Sequence, residues 1–154
     1  MRGVWLLILA IPAFAQTITL TVQNKGQIRA GDTLVLQAAL SGAPPVGAGM
    51  GRIAALQLSL TSNRGGTWTS AAGPAAVAAG KHFDCALSGS DYTCVISGMN
   101  QNAIEDGALG TFSLAIPNGA QGALSITADN QMGATGDGGL VSAQINQISV
   151  QVKK

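Results

Sequence analysis

Two cysteines, one histidine and a short set of carboxylates are the residues of this chain whose chemistry goes beyond packing. In an oxidising compartment an even pair such as Cys85 and Cys94 closes into a disulfide. The local sequence says how. Phe83-Asp84-Cys85-Ala86-Leu87-Ser88 and Asp91-Tyr92-Thr93-Cys94-Val95-Ile96 flank Gly89-Ser90, and Gly-Ser suits a two-residue hairpin loop of type II′. Counting outward from the loop, Ser88 faces Asp91, Leu87 faces Tyr92, Ala86 faces Thr93, and Cys85 meets Cys94 at a non-hydrogen-bonded position. Such positions bring Cα atoms to about 4.5 Å, near the short end of disulfide geometry. Closing so short a loop contributes roughly 2–3 kcal/mol in the chain-entropy account. The rival, a redox or metal site, lacks CxxC spacing and has a single histidine to draw on.

The remaining polar chemistry reads as structural. Nucleophilic catalysis needs a base beside the nucleophile, and His82, just after an alanine-rich segment, reads as a surface or turn histidine. Glycoside hydrolysis needs two carboxyl groups placed across a cleft. Glu105, the sole glutamate, instead adjoins Asp106 in a turn before a strand. Asp129-Asn130 and Asp137-Gly138 lack the alternating oxygen ligands of a calcium loop and are read as turn formers. The chain is therefore expected to be no enzyme, with no cofactor and no metal. Sugar binding by stacking needs exposed rings. Trp68 follows Asn63-Arg64-Gly65-Gly66-Thr67 and is expected to be partly exposed, as a single sugar-stacking contact. Phe83 and Phe112 read as core-facing, and Tyr92 as a neighbour of the disulfide. Three coplanar rings for a crystalline polysaccharide are not available outside the core.

These residues must be positioned by strands, for the dominant signal is alternation with period two. It runs through Ile18-Leu20-Val22, Leu34-Leu36-Ala38-Leu40, Leu56-Leu58-Leu60, Phe112-Leu114-Ile116, Leu124-Ile126 and Ile148-Val150-Val152. Each run is bounded by Gly, Asn, Asp or Pro, the mark of antiparallel strands with one wet face. Many such strands in one chain imply a sandwich or barrel. Pro74 to Gly80 departs from this: proline at a first helical position and glycine after the last predict one or two helical turns. Gly42–Gly51 and Met132–Gly139 read as long, mobile loops.

The first fifteen residues are a different object. Arg2 supplies a positive start, Val4–Ile11 an apolar stretch, and Ala13-Phe14-Ala15 a small-x-small cleavage pattern. The stretch is shorter than the about 20 residues a membrane helix needs. Residues 1–15 are thus expected to be a signal peptide cleaved near Ala15-Gln16, leaving residues 16–154 as one exported domain, with periplasm, cell surface and medium all open and no membrane span. The chain carries a formal net charge of +1. Loss of Arg2 would balance seven basic against seven acidic residues, so a polyanionic partner such as nucleic acid is not expected.

Four segments resemble the cohesin family, within the wider group of bacterial carbohydrate-binding β-sandwiches. Ala30-Gly31-Asp32-Thr33-Leu34-Val35-Leu36 is similar to the family's opening strand after a Gly-Asp turn. Ile53–Thr61 resembles its strand of alternating apolar residues. Asn102–Leu114 (NAIEDGALGTFSL) resembles a polar turn, an Asp-Gly pair and a strand that opens on small residues. Gln147–Val152 is similar to the final strand. The resemblance implies an all-β fold, an antiparallel jelly-roll β-sandwich of about nine strands with one short helical segment. It also implies a non-catalytic role, since cohesins bind dockerin modules in polysaccharide-degrading assemblies. The strand bearing Gln57, Ser59 and Thr61 would supply the contact, with uncharged side chains where familiar cohesins often use charged ones. The alternatives are a carbohydrate-binding domain centred on Trp68 and a surface structural or adhesive protein.

Overall fold

An apolar stripe on one face of a strand is stable only against a second layer, and here the two layers are two sheets. The computed structural model describes residues 16–47 and 51–154. The leader read from residues 1–15, and positions 48–50 of the first long loop, lie outside the described residues.

Strand β1 (Gln16–Val22) is followed by the two-residue β2 (Ile28–Arg29) and by β3 (Thr33–Ser41). The Gly31-Asp32 turn between these last two is fixed by the Asp32 carboxylate, which accepts the Arg29 N–H at 2.8 Å. Next come β4 (Ala55–Ser62), β5 (Thr67–Ala72), the helix α1 (Pro74–Ala78) and the hairpin of β6 (His82–Ser88) and β7 (Asp91–Ser97). The chain ends through β8 (Gly107–Ala115), β9 (Gly122–Ala134), β10 (Leu140–Val141), β11 (Ala143–Ile145) and β12 (Ile148–Lys153).

One sheet has the order β11-β1-β3-β8-β5. The other has the order β2-β12-β9-β4-β7-β6, with β10 added on β9. Between them lie Ile18, Leu20, Leu34, Leu36, Leu40, Phe112 and Leu114 from the first sheet and Leu56, Leu58, Leu60, Ile96, Leu124 and Ile126 from the second, all buried. The expected all-β sandwich with one short helix is thus observed. Nine strands have six residues or more, the number the resemblance implied; β2, β10 and β11 are two- or three-residue additions.

Three expectations need correction. Two short pairings, β1 with β11 and β12 with β2, are parallel, so the sheets are not purely antiparallel. β11 and β2 are the edge strands of the two sheets, beside β1 and β12, which contact each other. Met132–Ala134 belongs to β9 and pairs with Ala55–Gln57 of β4, so the second glycine-rich loop is shorter than expected. Its remainder is tied up by Thr135, whose hydroxyl donates to the Asp137 carboxylate and accepts the Gly139 N–H at 2.8 Å. Trp68 belongs to β5, a strand without clear alternation, and faces the core rather than a loop surface.

Gly110 shows how closely the layers approach. A methyl group there would lie 2.5 Å from the Ala71 carbonyl oxygen and from the Phe83 ring, so only glycine lets that ring pack over β8. Three asparagine side chains extend the ladders where backbone pairing stops. Asn24 accepts the Val35 N–H at 2.6 Å and donates to the Thr33 carbonyl. Asn63 accepts the Ser125 N–H at 2.9 Å and donates to Ala123. Asn146 accepts the Leu20 N–H at 2.6 Å and donates back to the Leu20 carbonyl. Each carboxamide stands in for a peptide group, meeting one backbone donor and one backbone acceptor.

Candidate binding surfaces

Strand β4 lies inside its sheet, between β7 and β9. Leu56, Leu58 and Leu60 point to the core, so Gln57, Ser59 and Thr61 point outward. The register sets Gln57 between Val95 and Met132, Ser59 between Thr93 and Asp129, and Thr61 between Asp91 and Thr127. The three predicted contact residues therefore share one face but not one environment. The Ser59 hydroxyl is 2.7 Å from Thr93 Oγ1, and Ser59 is only 2% exposed. Thr61 donates to the Asp91 carboxylate at 2.6 Å. Gln57 has no such tie among the described residues and lies between Val95 and Met132.

That row was not legible in the sequence. Val95 is 37% exposed, Met132 49% and Leu140 79%. With Ala55, Gln57 and Ala134 they line a shallow groove of about 170 Å³. The meeting of Val95, Met132 and Leu140 at one spot requires the register between β7, β4, β9 and β10. Scattered exposed apolar residues need no explanation; a contiguous group in the middle of a sheet face is the kind that marks an interaction site.

The second region is the opposite edge, where β5 and β6 end the two sheets. The hairpin has the register read from the sequence: Cys85 pairs with Cys94, Leu87 with Tyr92, and Gly89 takes φ 63° at the turn. The disulfide is formed, with Cα atoms 4.1 Å apart. Tyr92 lies beside it as expected, and the Ser70 hydroxyl is 3.0 Å from Cys85 Sγ and 2.9 Å from the Tyr92 hydroxyl. Trp68 is 8% exposed, not partly open, and Tyr92 is stacked over it with ring centres 5.8 Å apart. A cleft of about 370 Å³ opens here between Gly66, Thr67, Leu87 and the two rings. The ring expected to meet a sugar is thus largely spent on packing. Phe83 and Phe112 pair in the same way, centres 5.8 Å apart, with Phe112 fully buried.

Two of the polar groups weighed for catalysis, Glu105 and Asp106, hold loops. His82 is exposed in β6 with the Asp84 carboxylate 3.2 Å away. Glu105 forms an ion pair with Arg52. Asp106 accepts the N–H groups of Gly42 and Ala43 at 3.2 and 3.0 Å, so the turn before β8 anchors the first long loop. Both acids border a cleft of about 490 Å³ beside α1, otherwise walled mainly by alanines. Asp129 lies in β9, and the Asp137 carboxyl is held below its usual range by the Thr135 hydroxyl and then by the Gly139 N–H. Among the described residues no three His, Cys, Asp or Glu side chains gather into a metal-binding group, and no helix is long and apolar enough to cross a membrane. Sequence reasoning passed over Lys81. It is 4% exposed, donates to the Asn100 backbone and side-chain oxygens at 3.0 and 2.8 Å, and has its pKa lowered by burial.

No family model matches the sequence, and no curated protein matches it. Solved structures do match. The chain is similar to a cohesin in a type I cohesin–dockerin complex from Clostridium thermocellum, at 17% identity, over 92% of this chain and 95% of that one, with a TM-score of 0.70. It is similar to a non-cellulosomal cohesin from the hyperthermophilic archaeon Archaeoglobus fulgidus, at 13% identity, over 91% and 92%, with a TM-score of 0.68. A type III cohesin module from the ScaE cell-surface anchoring scaffoldin of Ruminococcus flavefaciens matches at 16% identity, over 92% and 89%, with a TM-score of 0.62. The chain has the cohesin fold.

Proposed function

We propose that this protein is an exported, non-catalytic docking module. It binds a dockerin-like protein module through the outer face of β9, β4 and β7. The single observation that carries the reading is the exposed apolar pair Val95 and Met132 flanking Gln57, extended by Leu140, on one sheet face of a cohesin fold. Apolar centres ringed by polar groups are the usual anatomy of a protein interface, and Thr61, Thr93 and Asp91 supply such a rim. The use of Glu105 and Asp106 in loop contacts supports a non-catalytic role, and the cleavage pattern at Ala13-Phe14-Ala15 supports export. The disulfide suits the oxidising compartment to which export leads.

The test is a capture experiment from the secretome of the source organism, with immobilised protein and a Met132→Glu variant in parallel. The expected result is retention of proteins sharing one dockerin-like module, lost on the variant. Retention of no specific protein at micromolar concentration overturns the docking reading, as does retention that the variant leaves unchanged.

A further inference from the structure

Asn118-Gly119 is the sole Asn-Gly pair in the chain. It forms the corner between β8 and β9, where the Ala120 N–H donates to the Pro117 carbonyl at 3.0 Å. Both residues are exposed, and a methyl group added at Gly119 would meet nothing within 4 Å. Among the described residues neither the Asn118 carboxamide nor the Gly119 N–H makes a hydrogen bond. The carboxamide only rests against Gly31, its Oδ1 lying 2.6 Å from where a Gly31 Cβ would stand.

Related groups elsewhere are held. Asn24, Asn63 and Asn146 each bridge a backbone donor and a backbone acceptor. The Asn100 carboxamide accepts from Lys81 and from the Asn102 N–H, and Asn102 donates to the Ala79 carbonyl. Two Asp-Gly pairs have the same spacing. Asp106, however, accepts the Gly42 and Ala43 N–H groups, and Asp137 accepts the Thr135 hydroxyl.

A peptide nitrogen on glycine is the least hindered, because no Cβ stands beside it. At this corner the Gly119 nitrogen attacks Cγ of Asn118. The N–Cγ bond forms, the Cγ–Nδ2 bond breaks, and Nδ2 leaves as ammonia with the proton given up by the Gly119 N–H. Water then opens the five-membered imide. Opening at Cγ gives aspartate. Opening at the α-carbonyl gives isoaspartate, whose main chain runs through Cγ. No oxidant is consumed. We infer that Asn118 is a site of spontaneous deamidation, which leaves a carboxylate on the β8–β9 corner. The new charge stands beside the Gly31-Asp32 turn, which already carries the Asp32 carboxylate.

The folded protein is incubated at mildly alkaline pH and digested with pepsin at low pH, which stops further ring closure. Its peptides are then separated and weighed. The peptide holding Asn118 is expected to gain the mass difference between a hydroxyl and an amino group and to divide into aspartyl and isoaspartyl forms. Peptides holding Asn63 and Asn102 are expected to keep their mass over the same time. Gly119→Ala adds a methyl group in open space at a residue without positive φ, and is expected to lose the modified peptide. An Asn118 peptide that keeps its mass overturns the inference. So does a Gly119→Ala variant that deamidates as fast as wild type, or equal modification at Asn63 or Asn102.

Discussion

The β5–β6 edge and the outer face of β4 are built from opposite materials. The edge holds the aromatic and sulfur chemistry: Trp68 against Tyr92, the Cys85–Cys94 bridge beside them, and Ser70 joining the two. The face holds Gln57, Ser59 and Thr61 with Val95 and Met132, side chains of little intrinsic reactivity. Yet the two rings of the edge are each only 8% exposed, whereas Val95 and Met132 of the face are 37% and 49% exposed. In a small sandwich the bulkiest residues are needed to seal the gap where the two sheets end, because no further strand covers the core there. A surface for a partner needs only shape, a few desolvated apolar groups and a polar surround. Chemical conspicuousness in the sequence thus marks construction here, and the proposed binding surface is made from what is left.

Variants that separate stability from recognition break or sharpen this contrast. The largest effect is expected from Trp68→Ala, which removes a buried ring and its stacking partner's contact; unfolding in denaturant is expected to show a loss of about 3–4 kcal/mol. Replacing both cysteines by alanine frees the hairpin and is expected to cost roughly 2–3 kcal/mol in the same measurement. Asn63→Ala leaves the Ser125 N–H to water at a partly exposed strand end, at about 1 kcal/mol, while the Ala123 carbonyl keeps the Arg64 Nε–H at 3.1 Å. Smallest is Met132→Glu, expected to stay within about 0.5 kcal/mol of wild type because the side chain already meets solvent. A large loss of stability there, or none at Trp68, removes the distinction between the two regions.

Lys81 gives a pH test independent of either region. Burial lowers its pKa in the fold, so the unfolded chain holds this proton more tightly. The cost is fully present below the folded pKa and vanishes above the unfolded one. Stability is therefore expected to rise with pH as the usual lysine range is approached from below. Lys81→Met, measured over the same pH series, is expected to lose that slope.

The strands with clear alternation, the hairpin register and the Pro74–Gly80 helical turn were all legible, because each is set by local patterning or turn chemistry. β5 was not. Thr67-Trp68-Thr69-Ser70-Ala71-Ala72 has one large apolar residue, and its partner β8 supplies the stripe on which it lies. The parallel additions β2 and β11 were invisible for a similar reason: two or three residues cannot show a period. The face residues Gln57, Ser59 and Thr61 were placed on the correct side of β4, but the burial of Ser59 depends on Thr93 across the ladder. The groove depends on Met132 and Leu140 from another part of the chain, which tertiary register alone brings together.

The central claim, that recognition resides on the outer face and the aromatic edge is construction, is tested most directly by one titration. A dockerin-like module recovered by the capture experiment is titrated into wild type, Met132→Glu and Trp68→Phe, each shown to be folded. The account predicts at least tenfold weaker binding for Met132→Glu, about 1.4 kcal/mol or more, and unchanged binding for Trp68→Phe. Unchanged binding by Met132→Glu together with a comparable loss in Trp68→Phe would contradict it.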